Sequence, residues 1–204
     1  MHFRDAVGEN RIMIVVIGAI IILGGLFLSI WRGRLPRFYW LLFAVGAAIG
    51  MVWELGFTFS HMGYPILPGG APAPGIPDIT DLPLYAILPL LLIVSIWDAG
   101  LFLVGLVIAR TWLGPQIERR FSWAALLVML IWGQVQSLVI EIYAIETGMW
   151  AYAPSPLNPT LFGWEEAQIG FLPQFVWLLG YCAFYAALLK LSPPESAPEP
   201  PASA

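Results

Sequence analysis

Three carboxylates stand where a chain of this composition tolerates them least. Glu54 lies in "GMVWELGF", Asp98 in "SIWDAG" and Glu141 in "LVIEIYAIETG", each inside an apolar run. An acid facing lipid costs about 2.5–3.5 kcal/mol on insertion scales. The three are therefore expected to face inward. A carboxyl group shielded from water disfavours its charged form, so it can hold a proton and donate it, then act as a base. Two of the acids follow a tryptophan, in a shared pattern of Trp, acid, any residue and Gly at 53–56 and 97–100. An indole face attracts positive charge. Acid beside indole suits protonation of a carbon–carbon double bond or an epoxide in an isoprenoid, with the carbocation held against tryptophan. The plainer alternative is an acid that locks two helices through an indole hydrogen bond.

Helical spacing sorts the neighbours of each acid, because positions three, four and seven apart share a stripe. With Glu54 go Ala47, Gly50, Thr58 and His61, small or polar throughout. With Asp98 go Leu91, Val94, Ser95, Phe102 and Gly105, and with Glu141 go Gln134, Ser137 and Leu138, while Gln136 points roughly opposite Gln134. The expected catalytic set is Glu54, Asp98 and Glu141. The expected substrate-binding set is Trp53, Trp97, Trp132, Gln134, Ser137, Gly50 and Phe102, the tryptophans lying within apolar spans. Glu146 and His61 fall near the interface, and Asp78, Asp81, Glu165 and Glu166 read as solvated loop charges. At about 1.5 Å per residue, Glu54 and Glu141 come out toward one mouth of the bundle and Asp98 near mid-membrane. One cavity serves all three only if it runs from that mouth to the membrane centre.

The elements that must position these residues are membrane helices. Of 204 residues 59% are hydrophobic and 11% charged, with a mean hydropathy of +0.80. A soluble domain carries roughly a quarter charged residues, so the expected class is all-α, a polytopic bundle of five transmembrane helices with two long non-cytoplasmic loops. Runs long enough to span, about 20 residues each, fall at about 12–31, 37–58, 84–110, 121–147 and 173–191. The first is longer than a signal-peptide core and has no clear cleavage site, so it reads as retained. Arginines fill "RGRLPR" and "RTWLGPQIERR" and Lys190 ends the fifth run, whereas the loops 59–83 and 148–172 have no Lys or Arg. Short basic loops stay cytoplasmic. The amino terminus is then outside and the carboxyl terminus cytoplasmic, with Arg4 and Arg11 the dissenting charges, offset in part by Asp5 and Glu9.

The first long loop holds six prolines and four glycines and cannot be helical. The second carries Trp150, Trp164, Phe162 and Phe171, residues that settle at headgroup level. Both read as a cap over one mouth. Residues 1–192 form the membrane domain, and 193–204, "PPESAPEPPASA", a disordered Pro/Ala-rich tail. The single cysteine, Cys182, excludes an intrachain disulfide and reads as an apolar filler.

The five-span layout, the "GMVWELGF" helix and "GQVQSLVIEIYAIETG" are similar to the emopamil-binding (EXPERA) family. The likeness spans about residues 40–190, with the aromatic last span "FLPQFVWLLGYCAFY" included. It implies a helical bundle around a hydrophobic pocket and, for the enzyme members, movement of a sterol double bond through a cation. Glu54 would match the second-span acid and Gln134 the fourth-span polar position. Gly50 stands where those isomerases have a histidine, and their third-span glutamate falls near Leu91, two turns from Asp98. The Trp-Glu pair also resembles the integral-membrane terpene cyclases of meroterpenoid pathways. Glu54 matches their second-helix acid; the last span here has none, so Asp98 or Glu141 would take the second role.

The sequence has no phosphate-cradling glycine loop, no histidine pair at metal spacing and no Ser-His-acid set. No cofactor or metal is expected. The expected partners are a hydrophobic isoprenoid or sterol-like molecule and membrane lipids, with no nucleic acid and with a homo-oligomer left open. The leading expectation is a membrane isomerase or cyclase. A binding protein or transporter, and an accessory subunit of a membrane complex, are the alternatives. The Pro/Ala tail and the lack of a sorting signal fit a bacterial inner membrane.

Overall fold

The computed structural model describes residues 3–59, 84–146, 156, 158–164 and 167–193, with the backbone alone for 3–15, 58–59, 84, 86, 164 and 167. Most of the described chain lies in five helices: α1 (Phe3–Trp31), α2 (Tyr39–Phe59), α3 (Leu84–Leu113), α4 (Trp123–Glu146) and α5 (Phe171–Leu191). Helices are the open-ended solution for an apolar chain, since each backbone amide finds its carbonyl within the same segment. By length and composition four stretches are able to cross a membrane: Tyr39–Phe57, Ile87–Leu113, Trp123–Glu146 and Phe171–Leu191. In α1 the described apolar stretch is the shorter Val16–Trp31. The chain is thus a helical membrane bundle. Its outer faces carry large apolar side chains such as Ile20, Val52, Leu92, Ile131 and Leu179.

Helices α2, α3, α4 and α5 form a ring, each packed on the next and α5 back on α2, while α1 lies outside against α3. Gly46 meets Ala99 and Gly50 meets Asp98, so rising numbers in α2 face falling ones in α3 and the pair is antiparallel. Gly18 meets Trp97 and Ile22 meets Gly100, which makes α1 parallel to α3. Lipid supplies no hydrophobic force between helices, so close backbone approach and interhelical hydrogen bonds hold the ring.

At the basic end the turn from α3 to α4 is tight. Gly114 takes φ 87°, a left-handed conformation that ends α3, and a short 3-10 helix over Pro115–Glu118 follows. Glu118 there is buried; it accepts a hydrogen bond from Tyr39 Oη at 2.6 Å and lies 2.9 Å from Arg110 Nε. The Ser122 N–H donates to Tyr185 Oη at 2.9 Å, and that hydroxyl donates in turn to Ile117 O at 3.3 Å. One turn is thereby tied to α2, α3 and α5.

The described chain is mostly helical, in keeping with the all-α expectation, with one local exception at the other end. Part of the second loop forms an antiparallel hairpin, β1 (Thr160–Trp164) and β2 (Ala167–Gly170), with Phe162 opposite Ile169 and an irregularity between Thr160 and Phe162. It runs straight into α5. Asn158 Oδ1 accepts from the Leu172 N–H at 2.8 Å and Pro159 O from the Phe171 N–H at 2.9 Å, which satisfies free amides of the first helical turn. The first loop, with His61, Asp78 and Asp81, lies outside the described residues, as do Glu165, Glu166 and the tail from 194.

Candidate functional site

Asp98, on α3 within the ring, is buried. Gly50 of α2 makes room for it: a Cβ at position 50 would lie 2.5 Å from Asp98 Oδ2 and 2.8 Å from its Cβ. One turn along α2, Trp53 Nε1 donates to Asp98 Oδ2 at 3.1 Å. Glu54, half-buried, is close enough to act on Asp98 electrostatically and also touches the Trp53 indole. Two carboxyl groups and one indole N–H thus share a single place between α2 and α3. Ser95, one turn from Asp98 and fully buried, spends its hydroxyl on Leu91 O at 2.8 Å.

Beneath this pair the interior is aromatic and filled. The Trp53 ring lies 5.0 Å from Trp177 and 5.7 Å from Phe102, and Phe102 lies 4.7 Å from Tyr181 and 5.1 Å from Phe184. Gly180 permits this, because a Cβ there would sit 2.7 Å from the Trp53 ring and 2.8 Å from that of Phe102. Tyr181 Oη and Trp132 Nε1 both donate to Leu101 O, at 2.6 and 3.0 Å. An α3 carbonyl that accepts two side-chain donors stitches α3 to α4 and α5 at the level of the cluster.

Glu141 does not join the first two acids. It is buried on α4, where Gln174 Nε2 of α5 donates to its Oε2 at 2.6 Å and the Gly170 amide also interacts with it. Gln134 Nε2 donates to Gln174 O at 3.0 Å. Gln174 stands one turn before Trp177, so this polar group sits one layer above the aromatic cluster, beside the hairpin. The three acids therefore occupy two places, linked through Gln174, Trp177 and Trp53, and not one shared chamber.

The other expected residues divide. Gly50, Trp53 and Phe102 belong to the Asp98 site, and Gln134 to the Glu141 group. Ser137 is buried on α4. Trp132 serves the α3–α4 seam. Trp97, despite its matching motif, turns to α1 and packs on Gly18. Glu146 is exposed, and so is Cys182, which fills no interior space. Among the described residues no three His, Cys, Asp or Glu side chains gather as a metal site would require. Sequence reasoning passed over Gln174, Trp177 and Tyr181. Gln174 alone left a signal, as the only strongly polar side chain between Phe171 and Leu189 apart from tyrosine and cysteine. Comparison with family models, curated proteins and solved structures finds no match to the chain.

Proposed function

We propose that the chain is an integral-membrane acid–base enzyme, a double-bond isomerase or a cyclase acting on an isoprenoid or sterol-like lipid. One juxtaposition supports this reading: Glu54 and Asp98 together at the Trp53 indole, on the rim of the Trp177–Phe102 cluster. Paired carboxyl groups in one site divide the roles of proton donor and acceptor. The donor gives its proton to one carbon of a double bond, the π pair forms the new C–H bond, and the adjacent carbon becomes cationic. The indole faces of Trp53 and Trp177 stabilise that charge. Loss of a proton from a neighbouring carbon to the second carboxylate completes an isomerisation; attack by another double bond closes a ring first. Either way the pair ends with the same number of protons as at the start.

In this reading Glu54, the less buried of the two, meets the guest first, and Asp98 is the partner held by Trp53. The EXPERA-like or terpene-cyclase-like assignment remains part of the proposal, and so do a fifth span in α1, an outside amino terminus, a cytoplasmic carboxyl terminus and a bacterial inner membrane. The six arginines of the two short turns, Arg32, Arg34, Arg37, Arg110, Arg119 and Arg120, favour that orientation. Purified protein incubated with polyprenyl and sterol substrates, followed by product analysis, is the test. Glu54→Gln and Asp98→Asn are each expected to lower turnover at least 100-fold; unchanged turnover in Glu54→Gln removes it as a proton carrier. An accessory subunit of a membrane complex is the second reading, favoured by the close packing below Asp98, and it predicts co-purification of a stoichiometric partner.

A further inference from the structure

The Glu141 carboxyl group has one buried oxygen without a partner among the described residues. Glu141 is 3% exposed, its Oε2 accepts from Gln174 Nε2, the Gly170 amide also interacts with the group, and among the described residues its Oε1 has no hydrogen-bond partner. A buried polar atom left alone in this way calls for an explanation, since it costs about 1–3 kcal/mol. The surroundings are built to hold the carboxyl group still: Gln174 is itself 8% exposed, and Gln134 pins the Gln174 backbone at 3.0 Å. Along α5 the group lies one turn from Trp177, whose ring touches Trp53 of the acid pair.

We infer that Glu141, oriented by Gln174, is the recognition site for the hydroxyl head of a lipid alcohol whose apolar body lies toward Trp177 and Trp53. The chemistry of Oε1 selects the head. A charged carboxylate needs a donor there; a neutral carboxyl, with Oε2 already accepting from Gln174, presents its own O–H and needs an acceptor. A hydroxyl both donates and accepts, so it completes the site in either state. An ammonium serves only the first state, and a fully ionised phosphate only the second. A hydrocarbon serves neither. The inference rests on the proposed lipid chemistry for its apolar body, and it names the substrate class as an alcohol rather than a diphosphate, an amine or a bare hydrocarbon. Glu141 is then a binding residue, and the proton carriers remain Glu54 and Asp98.

Equilibrium binding to the purified full-length protein in detergent, followed by tryptophan fluorescence, tests this without turnover. The probes are farnesol, farnesylamine, farnesyl phosphate and farnesene, with cholesterol and cholestane as a sterol pair. Expected is an alcohol-over-hydrocarbon preference of about tenfold or more in at least one pair, the size of one well-made buried hydrogen bond. Glu141→Leu is expected to erase that preference and leave hydrocarbon binding in place. Glu141→Gln, which keeps size and hydrogen bonding, is expected to retain part of it and guards against a folding defect in the leucine variant. No preference in either pair overturns the inference, as does tightest binding of the amine or of the phosphate, or a preference that survives Glu141→Leu. Binding is read without turnover, in the wild type and in the two Glu141 variants. Loss of turnover with binding intact, or the reverse, therefore separates failure of the catalytic reading from failure of this one.

Discussion

A methyl group added at Gly50 would lie 2.5 Å from Asp98 Oδ2, a distance that real Cβ atoms do not keep. Either Asp98 gives up its place against Trp53 Nε1 or α2 and α3 part. Gly50→Ala is therefore expected to lower turnover at least tenfold while the far-ultraviolet circular dichroism stays helical; turnover at the wild-type level would show that the Asp98–Trp53 contact does not matter to the reaction. The contrast with Trp97 belongs to this scale too. Trp53 and Trp97 stand in the same short motif, yet one bonds an acid across the helix seam and the other packs on Gly18 of α1. Successive residues on a helix point about 100° apart, so adjacency to an acid says little about which helix the indole meets. That is decided by the neighbours of α3, which the sequence does not display.

Among the elements, the spans were legible because a continuous apolar run has few other uses. Expected and observed bounds agree within a few residues for α2 to α5. The hairpin was not legible. Its strands hold four and five residues, carry no regular alternation of apolar and polar positions, and owe their place to Asn158 and Pro159 at the start of α5. Nor did sequence reveal the lock at the basic end, where Glu118 sat unmarked between a proline and two arginines that read as a topology signal. Glu118→Ala removes the acceptor of a fully buried Tyr39 hydroxyl and the partner of Arg110. Arg110, 27% exposed, can turn to water or headgroups, but Tyr39 cannot, so the loss is expected at about 1–3 kcal/mol. Thermal unfolding in detergent reads it, and an unchanged midpoint would show that the turn is held by other contacts.

For the whole molecule, charge sets direction and packing sets the site. Cys182 faces outward from α5, so replacing it with alanine gives a cysteine-free background at little structural cost. On that background Arg34→Cys, in the basic turn between α1 and α2, and Phe162→Cys, in the hairpin, report the two ends. In sealed vesicles of known orientation an impermeant thiol reagent is expected to reach Arg34→Cys only from the cytoplasmic face and Phe162→Cys only from the other; labelling of both from one face would contradict a spanning ring. The ring also explains why three acids became two sites. Asp98 and Glu141 are buried and Glu54 half-buried, but which of them meet depends on register between antiparallel helices, fixed by contacts such as Gly46 on Ala99 and Gly133 on Tyr181.

Proton delivery by the Glu54–Asp98 pair is the step on which catalysis depends, and deuterium oxide exposes it directly. Carboxyl protons exchange with solvent, so a lipid turned over in deuterium oxide must carry deuterium on carbon. Mass spectrometry of recovered sterol and polyprenyl substrates and products is expected to show one deuterium per turnover in the wild type and at least a 100-fold slower gain in Glu54→Gln and Asp98→Asn. Lipid recovered without label from the wild type, or labelled at the same rate by both variants, would contradict it.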